Sequence, residues 1–173
     1  MENKDPLATT ALPAGKRHKI DEADTEENPP VDNDQSAATK YLILVVDDAA
    51  DNVAMLSLDL QHQGYRVVTA TNGEEAISVA SAILPNLILM DISMPQLDGL
   101  GATRRIREID TLKNVPVIAV TAFGTEGFRR AAYDVGVSGF LTKPLDFDRM
   151  HQLIARLLDP GNSGKLFGQE MTS

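Results

Sequence analysis

Residues 41–52 read YLILVVDDAADN, and this stretch decides the fold. Tyr41 to Val46 is a short, unbroken apolar run of the kind that a strand covered on both faces requires. It stops abruptly on Asp47 and Asp48. From Asp51 to Gln63, Val53, Leu56 and Leu60 fall at helical spacing, and Gly64 stands where a helix commonly ends. A buried strand that passes through two aspartates into a helix is one β-α unit.

Toward the C-terminus the unit recurs four times. Tyr65–Ala70 precedes a helix over Gly73–Leu84, and Asn86–Met90 precedes one over Gly99–Ile109. Val115–Val120 precedes a helix over Gly124–Val135, and Gly139–Thr142 leads into Asp146–Leu158, with an apolar stripe of Met150, Leu153, Ile154, Leu157 and Leu158. Five strands alternating with five helices imply an α/β fold, a parallel sheet with helices on both faces and right-handed crossovers.

Outside this core the pattern changes. Residues 1–40 have no aromatic residue and no sustained hydrophobic period, and Pro6, Pro13, Pro29 and Pro30 punctuate acidic clusters. Such a segment buries too little apolar surface to offset its ordering entropy, so 1–40 reads as a disordered acidic tail. Its basic cluster Lys16, Arg17, His18, Lys19 reads as a solvated charge run before it reads as a localisation or docking signal. The domain spans 41–159, and 160–173 read as a short flexible tail.

Composition excludes several classes. The 173 residues are 43% hydrophobic, enough for one full-sized core and short for two. The net charge of -9 repels phosphate backbones and anionic lipid surfaces, which disfavours direct nucleic-acid or membrane binding. Cysteine is absent, so thiol nucleophiles and zinc-thiolate sites are excluded. The three histidines, His18, His62 and His151, lack metal-ligand spacing and read as surface residues. No secretory core opens the chain, and no apolar run reaches the roughly 18 residues that span a bilayer. The chain reads as soluble and cytoplasmic.

In an open parallel sheet, reactive residues collect in the loops at the carboxyl ends of the strands. The first strand ends on Asp47-Asp48, the third on Asp91, the fourth on Thr121-Ala122 and the fifth on Lys143-Pro144. Three carboxylates drawn together repel one another, and the usual remedy is a hard cation with oxygen ligands such as Mg²⁺. Asp91 stands alone on the central strand and is the carboxylate left for chemistry. A carboxylate that attacks a phosphoryl group forms an acyl phosphate, and catalysis of that step is mainly positioning and charge neutralisation.

VVDD, LILMDISMPQLDG, VTA and LTKP, in this order and on these elements, resemble the receiver domain of two-component response regulators over roughly residues 41–159. The resemblance implies a flavodoxin-like doubly wound (βα)5 fold with strand order 2-1-3-4-5. It implies that Asp91 is the phosphoacceptor and that Mg²⁺ is held by Asp48 directly, by Asp47 through water, by Asp91, and by the Ser93 backbone carbonyl. Lys143 then pairs with the phosphoryl oxygens, Thr121 swings toward them, Phe140 is the aromatic switch, and Pro144 follows a cis peptide bond. Ser93 and Phe123 fall where receivers tune the acyl-phosphate lifetime, and neither is suited to orienting a water.

The implied partners are a histidine kinase or histidine phosphotransfer protein upstream, meeting the first helix around Asn52, Val53, Met55 and Leu56, and an unidentified protein downstream. The output surface is formed by the fourth helix, fifth strand and fifth helix, in a monomer or a phosphorylation-dependent dimer. Such a protein is not an enzyme beyond its own phosphorylation and dephosphorylation.

Simpler readings compete. Asp47-Asp48 alone reads as a strand-to-helix cap, Thr121 alone as a loop threonine, and Phe140 as plain core. Pro95 and Asp98-Gly99 read as turn chemistry. A Mg²⁺-dependent aspartyl-phosphate phosphatase of the haloacid dehalogenase type is the alternative function. It needs an aspartate two residues after the nucleophile, where this chain has Ser93.

Overall fold

The computed structural model describes residues 41–159; the expected tails, 1–40 and 160–173, lie outside the described residues. In chain order the elements are β1 (Leu42–Val46), α1 (Ala50–His62), β2 (Arg66–Ala70), α2 (Gly73–Ile83) and β3 (Leu87–Asp91). They continue with α3 (Gly99–Glu108), β4 (Val117–Thr121), α4 (Glu126–Asp134), β5 (Gly139–Thr142) and α5 (Phe147–Leu158). All four strand pairings are parallel and the order is β2-β1-β3-β4-β5. The chain thus steps outward from β1 to one edge and returns to build the other, and the reversal opens a crevice at the carboxyl ends of β1 and β3.

Side chains alternate across each strand, so every strand feeds two cores. Ile43, Val45, Leu87, Leu89, Ile118, Val120 and Leu141 pack with Leu56 and Leu60 of α1 and Met150 and Ile154 of α5. On the other face, Leu44, Val46, Ile88, Met90 and Ala119 pack with Ala76, Ala80, Ala102, Ile106 and Ala132 of α2, α3 and α4. Small alanines on that second face let three helices sit close to the sheet.

Several boundaries differ from the sequence reading. The fourth helix begins at Glu126, not Gly124, because Thr125 is its N-cap, with Oγ accepting the N–H of Phe128. Gly124 stays in the loop. Asp91 and Thr121 are the last residues of their strands, held by ladder bonds rather than lying beyond them. Gly64 has a φ of 83°, the left-handed turn expected after α1. No described helix is long and apolar enough to cross a membrane.

Candidate functional site

The strand ends meet as their order implies. Lys143 Nζ lies 2.9 Å from Asp47 Oδ2 and 3.0 Å from Asp91 Oδ2, bridging the carboxyl ends of β5, β1 and β3. Asp47 is 2% exposed and Asp91 4%. Burial works to lower the Lys143 pKa, but hydrogen bonds and charge from Asp47 and Asp91 outweigh it and hold the ammonium above its ordinary range. The lysine is therefore a fixed cation over two buried carboxylates.

Carboxylate oxygens of Asp47, Asp48 and Asp91 all lie within 4.8 Å of one another. Donors on opposite sides of a magnesium ion are about 4.2 Å apart, twice the ordinary Mg–O distance. A spread slightly wider than this fits a cation that keeps some of its waters. The donor set is all oxygen and suits a hard divalent ion. Asp47 and Asp48 are not an equivalent pair, however. Asp47 is buried and already ion-paired, whereas Asp48 is exposed and free to turn toward a cation.

The remaining oxygens are aimed by backbone amides. Asp91 Oδ1 accepts the N–H of Ser93 at 3.1 Å, and Asp47 Oδ1 accepts that of Ala49 at 2.9 Å. The cap reading of the aspartate pair is thus half right: Asp47 binds a loop amide, but the N-cap of α1 is Ala49, with no side-chain bond. Thr121, fully buried, has its Oγ accepting the N–H of Phe123 at 3.1 Å, and its carbonyl accepts the N–H of Lys143 at 2.8 Å. The Lys143–Pro144 peptide bond is cis. Phe140 is 4% exposed, on the α4 side of the sheet.

Two residues at the site carry roles that the sequence reading did not give them. Asn52 Nδ2 donates to both Asp47 oxygens, at 3.1 and 3.0 Å, and so orients the carboxylate from the first turn of α1. Gly99, read only as a turn, sits where a Cβ would fall on the Asp91 carbonyl oxygen and within 2.9 Å of Ile92 Cα. Any side chain there pushes on the backbone that carries Asp91. The Asp-Gly signal was visible, but the close approach that demands glycine was not.

Away from the crevice, Leu56 is 3% exposed and belongs to the core, so it cannot meet a partner as expected; Met55 and Leu58, at 46% and 57%, are the large apolar residues that α1 exposes. They line a shallow depression of about 340 Å³ with Asp59, His62 and Phe147. His151 is not a solitary surface histidine. Its Nε2 lies 2.7 Å from Asp59 Oδ2 and ties α5 to α1.

Comparison with known proteins agrees with this geometry. The family model described as the response regulator receiver domain matches residues 43–155. The response regulator PleD of Caulobacter vibrioides is 40% identical over 104 residues, which are 60% of this chain and 23% of PleD. This chain therefore spans less than a quarter of that relative. The polar-differentiation response regulator DivK of Brucella anthropi is 33% identical over 116 residues, covering 67% of this chain and 94% of DivK. The receiver domain of sensor histidine kinase PA1611 from Pseudomonas aeruginosa PAO1, solved with a magnesium ion coordinated in its active site cleft, superposes with a TM-score of 0.64. It is 33% identical and covers 68% of this chain and 97% of that one. Nothing in these matches supports the phosphatase alternative. The chain belongs to the response regulator receiver domain family.

Proposed function

We infer that this receiver takes a phosphoryl group from a phosphohistidine onto Asp91 and signals by changing the surface around α4, β5 and α5. The observation that carries the reading is the Lys143 ammonium bound to the buried carboxylates of Asp47 and Asp91 at the mouth of the crevice. A carboxylate oxygen of Asp91 bonds to phosphorus as the bond from phosphorus to the histidine nitrogen breaks. The ring, protonated on its other nitrogen, keeps the electron pair and leaves as neutral imidazole. Lys143 meets the phosphoryl oxygens with its positive charge, and the Ser93 amide fixes the Asp91 carboxylate for attack.

Asp48, Asp47, Asp91 and the Ser93 carbonyl are the groups that would hold Mg²⁺. Bound there, the ion draws charge from the phosphoryl oxygens. Thr121 then leaves the Phe123 amide for the phosphoryl group and Phe140 moves into the space it vacates, a local charge event read by a bistable element. The exposed Ser93 and Phe123 side chains orient no water, which favours a long-lived acyl phosphate.

The upstream donor is a histidine kinase or a histidine phosphotransfer protein, and the exposed Met55 and Leu58 give it an apolar foothold on α1. Downstream stands a protein that reads the changed surface, with this chain acting as a monomer or as a phosphorylation-dependent dimer. Its catalysis is confined to its own phosphorylation and dephosphorylation, in the cytoplasm.

Acetyl phosphate with Mg²⁺ should add the mass of one phosphoryl group to the intact chain. Asp91→Asn should add none, and an unchanged mass for the natural sequence would overturn the reading.

A further inference from the structure

Helix α4 carries an aromatic and cationic cluster that the proposed transfer does not use. The guanidinium carbon of Arg129 lies 5.2 Å from the centroid of the Phe140 ring, within the span over which a ring face attracts a cation. Phe128 meets the same ring edge-on, with centroids 6.3 Å apart and planes at 67°. Phe123 packs in turn on Phe128, again at 6.3 Å, and is itself 60% exposed. Phe140 therefore lies roofed by two side chains of α4.

Arg129 Nε is buried and has no hydrogen-bond partner among the described residues. A buried donor left unpaired is costly, so what holds the guanidinium here is the ring rather than a polar partner at that nitrogen. The row ends at the crevice, because Thr121 Oγ accepts the N–H of Phe123. The threonine hydroxyl, the loop it binds and the three aromatic rings thus form a continuous path to Phe140.

We propose that Arg129 is the latch of the conformational switch, its guanidinium holding Phe140 in the resting position for as long as the Thr121 hydroxyl stays on the Phe123 amide. This rests on the switch reading given above. When Thr121 turns to the phosphoryl group, Phe140 leaves the guanidinium face and Arg129 is released to hydrate its Nε. The attraction lost and the hydrogen bond regained oppose each other, so the latch is weak enough to open. An arginine held by several hydrogen bonds would not release its partner in this way.

The test uses the full chain and its affinity for beryllofluoride in the presence of Mg²⁺, read from the amide signals of Thr121 and Phe140. Arg129→Met keeps an unbranched apolar stem and removes the guanidinium with its charge. It should bind beryllofluoride about five-fold more tightly, the excess of the ring attraction lost over the hydrogen bond regained, which is about 1 kcal/mol at 1.4 kcal/mol per tenfold. Arg129→Lys, which keeps a cation without the planar guanidinium, should fall between and serves as the comparison should the methionine variant fold poorly.

In a Phe140→Leu background the Arg129→Met change should have no effect, whereas a general loosening of α4 would act in both backgrounds. Unchanged or weaker binding by Arg129→Met, or an equal effect in both backgrounds, overturns the latch alone, provided that the natural sequence responds to beryllofluoride. If the natural sequence shows no response at Thr121 and Phe140, the switch reading falls and the latch with it.

Discussion

The two ends of the sheet are each organised around one cation, and the cations do opposite work. At the carboxyl ends, Lys143 gathers side-chain carboxylates from β1 and β3. At the amino ends of β4 and β5, Arg107 gathers backbone carbonyls. Its Nε and one terminal nitrogen donate to the Gly136 carbonyl at 3.0 and 2.7 Å, and its other terminal nitrogen donates to the Val115 carbonyl at 2.9 Å. Carboxylates can take up a proton, a metal ion or a phosphoryl group. Backbone carbonyls take up neither a proton nor a phosphoryl group within the pH range of a cell, and the planar fork of arginine fixes them in several directions at once. One end is thus built for exchange and the other for permanence.

Several perturbations would break or sharpen this contrast. Lys143→Met should slow phosphorylation by acetyl phosphate about a hundred-fold or more, the scale for losing one pre-placed charge-stabilising group. An unchanged rate would remove the lysine from the chemistry. Arg107→Met should leave the phosphorylation rate of folded molecules as it is and lower stability by about 2–3 kcal/mol in urea unfolding, since it strands partly buried carbonyls.

Gly136, with a φ of 95° and the Arg107 side chain 2.9 Å from where a Cβ would stand, predicts a loss of about 1–2 kcal/mol for Gly136→Ala. The smallest effect separates the two ends by pH. At the site end of α2, the side-chain hydroxyl and then the backbone amide of Thr71 hold the Glu75 carboxyl below its ordinary pKa of 4.5. A group whose pKa is lowered by folding stabilises above its unfolded value, and that gain is lost as the pH falls through the folded one. The urea midpoint of the natural sequence should therefore exceed that of Glu75→Gln above about pH 4.5, and the gap should close in acid. The gap caused by Arg107→Met should persist over the same range.

How much of this was legible in the sequence follows from what each feature depends on. Asp47, Asp91, Thr121 and Lys143 could be found because strand polarity alone sends every strand end of a parallel sheet to one edge. Their hydrogen-bonding partners could not. Asn52 reaches Asp47 through a turn whose path has no sequence signature, and Arg107 meets Gly136 from 29 positions away. The bond from His151 to Asp59 spans 92 positions and depends on how α5 lies against α1. Helix periodicity placed Leu56 on an apolar stripe, but the stripe faces the core, and only packing showed that Leu58 faces outward. The late start of α4 depends on a capping hydroxyl that a glycine just before it obscures.

The lysine that completes the crevice stands immediately after the last strand, 96 positions after the first aspartate it binds. A ribosome releases the N-terminal strands first, so a growing polypeptide displays its aspartates well before it owns the ammonium that neutralises them. Until that final strand is threaded into the sheet, the nascent chain lacks the cation that bridges Asp47 and Asp91. On the reading proposed above, competence to be charged arrives only when the last strand of the domain joins the sheet.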